Sequence, residues 1–368
     1  MVSAGVMSGG GMGSVSVVYE THSTTTDNEA GRCTGWQPGE LSAAGLQNAG
    51  ELGRRRRDDG IDLVISSDLH RAVQTVDVAF AGSTVPRRTD PRLRECDFGD
   101  LTGAPVDEVH AQRRARVDTP FPGGQSYRQV AAGLAQLLAE LRRDHDGERV
   151  LLVGHAATRY SLDHLLTARP LESAATAPFG WREGWEYVLG PVLPELAVLD
   201  GPAALAAEDV LTSVYRAAFT APGSDEPEEA VERFRREQLP AHAARPGFRC
   251  VTLLLADTVA GFAYGYTGER GQWWTDTVAA RVPAVLADEW LGGHFELVEV
   301  AVAPEHQGRG FGAAVVDGLL LGLPHDRALL TTYDDERPAP RLYRRLGWEL
   351  LAPGALDRSD LWGRRLTS

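Results

Sequence analysis

Hydrophobic and polar positions alternate along the first half of the chain with two different periods. Val15 to Tyr19 (VSVVY) and Ile61 to Ile65 (IDLVI) are apolar runs of strand length, and Arg149 to Val153 (RVLLV) is apolar and β-branched. Across Ser42–Arg57 the apolar residues recur at helical spacing, with Leu41, Ala44, Leu46, Ala49 and Leu52 near one face. Arg71–Phe80 predicts a second helix, and Gln129–Arg143 a strongly amphipathic one. Strands alternating with helices predict an α/β fold with a mostly parallel sheet covered on both faces, an α/β/α sandwich. In such sheets ligands gather beyond the carboxyl ends of the strands. Thr21-His22-Ser23 and Gly154-His155 each follow a predicted strand directly, so two histidines are expected at one sheet edge.

The pattern changes near Gly190–Ala204, a stretch rich in Pro, Gly and Ala with no clear period. It reads as a boundary in which Leu196–Leu199 is a candidate first strand of a second domain. Beyond it, Ala207–Phe219 predicts a helix with Glu208 and Asp209 at its N-terminus. Thr220–Glu228 reads as a loop and Glu229–Gln238 as a helix. Arg249–Leu255 and Val259–Thr267 form a hairpin pattern around Ala256-Asp-Thr, and Phe295–Val302 reads as a strand. The resulting organisation is a tail over 1–14, a first domain over 15–191, a linker or first strand over 192–204, and a second domain over 205–368. A length of 368 residues fits two domains.

Composition narrows the classes. A hydrophobic fraction of 43% and a charged fraction of 24% are those of a soluble globular protein. A net charge of −14 argues against a nucleic-acid partner, which selects for a basic face. The run Arg54–Arg57, followed by Asp58 and Asp59, reads as a solvated helix end. Cys33, Cys96 and Cys250 are odd in number and widely spaced, which indicates neither a disulfide scaffold nor a metal site and fits a reducing cytoplasm. Met1–Ser14 is Gly- and Ser-rich without a basic or an apolar region, as in a flexible tail rather than a signal peptide. No apolar run approaches the roughly 20 residues of a membrane span. Nothing in the pattern specifies an oligomeric state.

The most specific chemical signal runs from Glu299 to Gly312 (EVAVAPEHQGRGFG). A strand leads into a loop with glycines at 308, 310 and 312, then into the apolar helix Ala313–Leu321. Glycines allow backbone N–H groups to approach a pyrophosphate, and a helix N-terminus adds positive potential there. The order is neither a Walker loop nor the GxGxxG dinucleotide fingerprint. It resembles the GNAT family of N-acetyltransferases, whose signature is Gln/Arg-x-x-Gly-x-Gly/Ala; Gln307, Gly310 and Gly312 stand at its three positions. Ala339–Trp348 (APRLYRRLGW) is similar to that family's last helix and following strand. The resemblance implies a mixed α/β acyltransferase fold over the second domain, acetyl-CoA as co-substrate without a metal, and a small amine as acceptor. Val300, Val302, Gln307, Gly308, Arg309, Gly310, Phe311, Gly312 and Tyr343 would bind the cofactor, with oxyanion stabilisation from backbone N–H near Val302. Tyr343 would protonate the leaving thiolate, and Glu299, or failing it Glu296, would take the ammonium proton. Trp273, Trp274 and Trp290 are either acceptor-pocket or core residues.

The histidines at the first sheet edge have companions of the types that phosphoryl transfer needs: a nucleophilic imidazole, cations for phosphate oxygens, and a carboxylic acid for the leaving group. These are Asn28, Arg32, Arg71 and Glu95. Their order, with Pro122-Gly-Gly-Gln-Ser126, resembles the histidine phosphatase superfamily that includes the phosphoglycerate mutases, over Val15 to about Pro191. The resemblance implies that His22 is the phosphorylated nucleophile, Glu95 the general acid and His155 a stabiliser of the transferring group. Thr21, Asn28, Arg32, Arg71 and His155 would form the phosphate pocket of a small phosphorylated substrate. Two positions depart from the family pattern: Gln125 replaces a glutamate, and Thr21 stands where the family has an arginine before the nucleophile. Arg94 and Arg159 are candidate replacements for that charge. The leading expectation is a bifunctional acetyltransferase and phosphomonoesterase. The alternative is an active acetyltransferase whose first domain binds a phosphorylated ligand as sensor or scaffold.

Overall fold

A computed structural model describes residues 13–220, 226–333, 338–356 and 358–366. Most of the tail expected over 1–14, and part of the loop expected over Thr220–Glu228, lie outside the described residues. The chain divides into two compact units, the first holding residues up to Leu166 with Leu171–Leu193, the second Thr167–Pro170 with Pro194 onward.

The first unit is built on strands β1 (Val15–Thr21), β2 (Leu63–Ser66), β3 (Arg87–Thr89), β4 (Arg149–Gly154) and β5 (Trp185–Leu189). They lie in the order β3-β2-β4-β1-β5, with every neighbouring pair parallel except β1 and β5. Successive side chains of a strand point to opposite faces, and both faces here are apolar. Val17, Tyr19, Leu63, Ile65, Val150 and Leu152 pack against Leu134, Leu137, Leu138 and Leu141 of the helix Tyr127–Asp144. Val18, Val64, Leu151 and Val153 pack with Leu52, Val76 and Phe80, which belong to or adjoin the helices Ala43–Arg56 and His70–Ala79. That continuous apolarity is why these strands read as runs rather than as alternation.

The Arg54–Arg57 run departs from the expected solvated helix end. The Arg54 side chain is 71% exposed, but that of Arg56 is only 10% exposed. Arg56 holds Glu20 at 2.9 Å and Asp59 at 2.8 Å, and donates to the Glu183 carbonyl at 3.1 Å. The buried carboxylate of Glu20 at the end of β1 turns part of the run inward, because a buried charge is tolerable only when paired.

The second unit contains β6 (Glu195–Leu199), β7 (Arg249–Leu255), β8 (Thr258–Gly268), β9 (His294–Val302), β10 (Arg327–Tyr333), β11 (Glu349–Leu356) and β12 (Ser359–Arg365). They form one sheet in the order β11-β12-β10-β9-β8-β7-β6, in which only β9 and β10 run parallel. One face packs under the helix Phe311–Leu320 through Val251, Leu253, Ala263, Phe295 and Leu297. The other packs Cys250, Phe262, Tyr264 and Ala301 against Leu211, Tyr215 and Phe234. The helix expected over Glu229–Gln238 is α-helical over Glu228–Arg233 and widens to a π-turn over Phe234–Gln238. No described helix is long and apolar enough to cross a membrane.

Leu152 is fully buried at the centre of the first sheet. Leu152→Ala should destabilise the first unit by about 2–5 kcal/mol, read as a lower urea midpoint at unchanged slope.

Candidate active sites of the two units

β1 and β4 are adjacent, parallel and end in register, with Thr21 opposite Gly154. The His22 amide continues the ladder by donating to the Gly154 carbonyl at 2.9 Å. The next residue of each strand is a histidine, so His22 and His155 emerge side by side with ring centroids 4.9 Å apart. Arg71 arrives from the first turn of the helix that follows β2, the strand on the other side of β4, and is only 2% exposed. Its guanidinium is held by the carbonyls of Gln37 and Gly35, each at 2.8 Å, and donates to His22 Nε2 and His155 Nδ1, each at 3.3 Å.

These contacts assign the protons. His22 Nδ1 lies 2.7 Å from the Ser23 carbonyl and donates to it, which leaves the Nε2 lone pair facing the guanidinium. His155 accepts at Nδ1, so its hydrogen sits on Nε2, a buried atom with no protein partner. Burial, then the Arg71 charge, lowers the His22 pKa to about 3. The same two causes, followed by His22, hold His155 well below the usual imidazole range. Both rings are therefore neutral at physiological pH. Glu95 accepts from the amides of Cys96 (2.8 Å) and Ala157 (3.2 Å), while burial pushes its carboxyl upward. Tyr19, from β1, donates its hydroxyl to the His155 carbonyl.

His22, Arg71, Glu95 and His155 line one cavity of about 690 Å³, together with Thr21, Asn28 and Arg32. Asn28 also closes a capping box with Thr25, and Arg32 donates to the Gly103 carbonyl at 2.9 Å. His22 Nε2, which accepts from Arg71, the buried guanidinium itself and an unpartnered N–H on His155 thus stand at one cavity. Arg94 and Arg159 do not take the place left by Thr21. Arg94 binds both oxygens of Asp68 (2.7 and 2.5 Å), and Arg159 pairs with Asp163 at 2.7 Å. Carboxylates close in space absorb both charges, and neither arginine lines the cavity. Sequence reasoning missed two cations that do, Arg55 and Arg113, and an aromatic wall of Phe98, Tyr127, Tyr160 and Phe179. The helical phase of Asn48, Glu51, Leu52 and Arg55 was the available signal for the first.

In the second unit, β9 and β10 pair only at Phe295/Ala328 and Glu296/Leu329 and then part. From Leu297 onward β9 has no ladder on that side, an edge inside a sheet. On its other side the ladder slips: Tyr264 faces Glu299 while Gly265 faces Leu297, so Val298 is an extra, bulged residue. Glu296 opposes Tyr266 and Glu299 opposes Tyr264, and the bulge thus sets both carboxylates on one face. Three residues apart in a regular strand, they would lie on opposite faces. Tyr266 donates to Glu296 at 3.0 Å, and burial raises that carboxyl to about 7. Burial, reinforced by Glu226, raises Glu299 to about 8.

β9 leads into a loop whose Gly308 and Gly310 have φ of 75° and 86°, the left-handed region that favours glycine. Gly310 caps the helix Phe311–Leu320, which has no side-chain cap on its first amides. A Cβ at Gly308 would meet nothing and one at Gly312 only Leu342, while one at Gly310 would meet the Thr167 side chain, so the loop is open to an anion at Gly308 and Gly312. Gln307 fastens the loop by donating to the Val302 carbonyl at 3.0 Å, and Arg309 lies 4.7 Å over the buried Phe311 ring. Val300 and Val302 pack partly against the core under the helix. Tyr343 is buried against Trp348, its hydroxyl pKa raised by burial and by Glu299. Trp274 and Trp290 are core residues, and Trp273 is exposed.

Fold and candidate sites together define a chain of two compact α/β units, each with its own site. The family model of the histidine phosphatase superfamily (branch 1) matches residues 21–179, and that of the acetyltransferase (GNAT) family matches 209–348. A 2,3-bisphosphoglycerate-dependent phosphoglycerate mutase of Allorhizobium ampelinum is 32% identical over 40% of this chain and 76% of that protein. The GCN5-like protein acetyltransferase Rv2170 of Mycobacterium tuberculosis is 40% identical over 24% of this chain, which spans about half (47%) of that protein's length. A solved mycobacterial glucosyl-3-phosphoglycerate phosphatase, Rv2419c, is 26% identical over 45% of this chain and 84% of that chain, with a TM-score of 0.40. The chain belongs to the histidine phosphatase superfamily and carries a GNAT acetyltransferase domain behind it.

The His22 shift has a consequence for stability. Between pH 6.5 and about 3 the unfolded ring binds a proton that the folded ring refuses. The stability it contributes is full above pH 6.5 and is lost as pH falls toward 3, by up to about 1.4 kcal/mol per unit. Glu95, shifted upward, acts in the opposite sense. The difference between the wild type and His22→Gln in urea unfolding at pH 7.5 and 5.5 isolates the histidine; His22→Gln should show the shallower loss.

Proposed function

We propose that the chain is a bifunctional enzyme, a phosphomonoesterase working through phosphohistidine at His22 and an acetyl-CoA-dependent N-acetyltransferase of a small amine. The hydrolase half rests on the convergence of His22, Arg71, His155 and Glu95 in one cavity. The neutral His22 presents its Nε2 lone pair to phosphorus while its Nδ1–H stays with the Ser23 carbonyl. As the P–O bond to the leaving alcohol breaks and the N–P bond forms, Glu95, whose carboxyl burial pushes toward the protonated form, gives that alcohol its proton. Arg71 and the Nε2–H of His155 bear the charge on the non-bridging oxygens. Water then attacks phosphorus with the Glu95 carboxylate taking its proton; the N–P bond breaks, its electron pair returns to His22 Nε2, and inorganic phosphate leaves.

The transferase half rests on the parting of β9 and β10 beside the glycine loop. Acetyl-CoA supplies the activated acetyl group when bound. The free edge of β9 near Val302 offers backbone N–H groups to the thioester, and the first amides after Gly310 hold the pyrophosphate. Glu299 accepts the proton of the acceptor ammonium, with a raised pKa suited to that exchange near neutral pH. The buried Tyr343 hydroxyl stays protonated and returns a proton to the thiolate.

Two assays separate the halves. His22→Ala should lower phosphate release from an aryl phosphate by at least about 100-fold while leaving acetyl transfer unchanged; equal slow release by both proteins removes the hydrolase reading in favour of ligand binding without turnover. Tyr343→Phe should lower kcat for amine-dependent thiol release by about 10- to 100-fold with the KM for acetyl-CoA nearly constant. The pH limb near 8 should vanish in Glu299→Gln and persist in Glu296→Gln; the reverse pattern transfers the role of base to Glu296.

A further inference from the structure

A dianionic phosphoryl group in the first unit meets Arg71 and, at the cavity wall, Arg32, which is tied to the Gly103 carbonyl, while position 21 carries a neutral hydroxyl. Beyond these two, four arginines stand near enough to be considered. Arg94 and Arg159 are consumed by Asp68 and Asp163. Arg113 lines the cavity and has no carboxylate hydrogen-bonded to it. It stacks 5.5 Å over Tyr160, and the carboxylate whose charge it feels is Glu95. Its guanidinium is engaged by the His110 ring nitrogen and by the Tyr160 face.

Arg55 is different. It lines the same cavity on the side of Glu20, Thr21 and His22, projecting from one helical face with Asn48, Glu51 and Leu52. Its ion pairs are long: Nη2 lies 3.5 Å from Glu20 and Nη1 4.0 Å from Glu183. Its Nε is buried and has no partner. Glu20, immediately before Thr21, already has its tight partner in Arg56 at 2.9 Å. Two guanidiniums therefore share one buried carboxylate, and the looser of them borders the space that a threonine leaves open. A long, flexible side chain held at 3.5 and 4.0 Å gives up little by turning to an incoming anion, and a planar guanidinium binds phosphate oxygens in pairs.

We propose that Arg55 supplies the guanidinium that position 21 lacks, leaving Glu20 and Glu183 to bind the non-bridging oxygens of a phosphomonoester dianion held at His22. The inference rests on the phosphoryl-transfer reading of this cavity. It assigns a phosphate-binding role to a residue on a different element from the strand end, and it makes Thr21 a relocation of charge rather than a loss of it.

The test uses the full chain with Arg55→Ala, Arg55→Lys, Thr21→Arg and the double variant Thr21→Arg/Arg55→Ala, an aryl phosphate as substrate and orthovanadate as inhibitor. Arg55→Ala should lower kcat/KM and weaken vanadate inhibition by roughly 10- to 100-fold, with thermal unfolding close to wild type. Arg55→Lys should lie between, and Thr21→Arg/Arg55→Ala should recover to within about threefold of wild type, which a purely structural role for Arg55 would not produce. Unchanged kcat/KM and vanadate affinity in Arg55→Ala overturn the proposal, as does a folded double variant that recovers nothing. If no variant turns over the aryl phosphate, the comparison is read from vanadate binding by calorimetry. Binding that depends on Arg55 then upholds the charge assignment while removing the hydrolase reading, and binding that ignores Arg55, or is absent, overturns it. Should Arg55→Ala fail to fold, Arg55→Lys and Thr21→Arg/Arg55→Lys carry the same comparison.

Discussion

The parallel register of β1 and β4 is the constraint on which the first site depends. Because Thr21 stands opposite Gly154, the residues that follow are brought together at one sheet edge without any contact between their side chains being required. Arg71 then serves both rings at once, anchored from behind by two backbone carbonyls. A guanidinium buried to this degree is costly unless every N–H is used. Here its hydrogen bonds fix two imidazole tautomers, hold the Nε2 lone pair of His22 and leave the Nε2–H of His155 without a protein partner. The carboxylate of Glu95, held by the amides of Cys96 and Ala157, completes the set from a separate loop.

The second site uses a related device with the opposite emphasis. There the strand pair comes apart after Glu296 and Leu329, and what it leaves open is backbone rather than side chain. A bulge at Val298 on the far side of β9 supplies the second half of that geometry by bringing Glu296 and Glu299 to one face. Each unit thus has its candidate site where a regular ladder ends.

The legibility of these features in the sequence follows from how local each one is. Apolar runs and helical periods located the strands that bear His22, His155 and Glu299, since burial on both faces leaves a direct trace in composition. The glycines at 308 and 310 were legible because their left-handed backbone restricts the residue type. The bulge and the splay left no such trace, because a strand that slips by one residue carries the same side chains as one that does not. Arg94 and Arg159 were candidates by nearness in sequence to Glu95 and His155, but Asp68 and Asp163 reach them through space. Arg55 sat in a basic run that read as solvated surface until Glu20 was found buried beneath it.

Attack on phosphorus by neutral His22, held by the Ser23 carbonyl and faced by Arg71, would leave the phosphoryl group on that ring during turnover. The most direct measurement is rapid acid-free quenching of the full chain with an aryl phosphate, followed by mass spectrometry of the peptide that contains residue 22. The account predicts a phosphoryl adduct on His22 that appears within one turnover and decays as free phosphate accumulates. Phosphate release with no adduct at His22, or with the adduct on another residue, would contradict it.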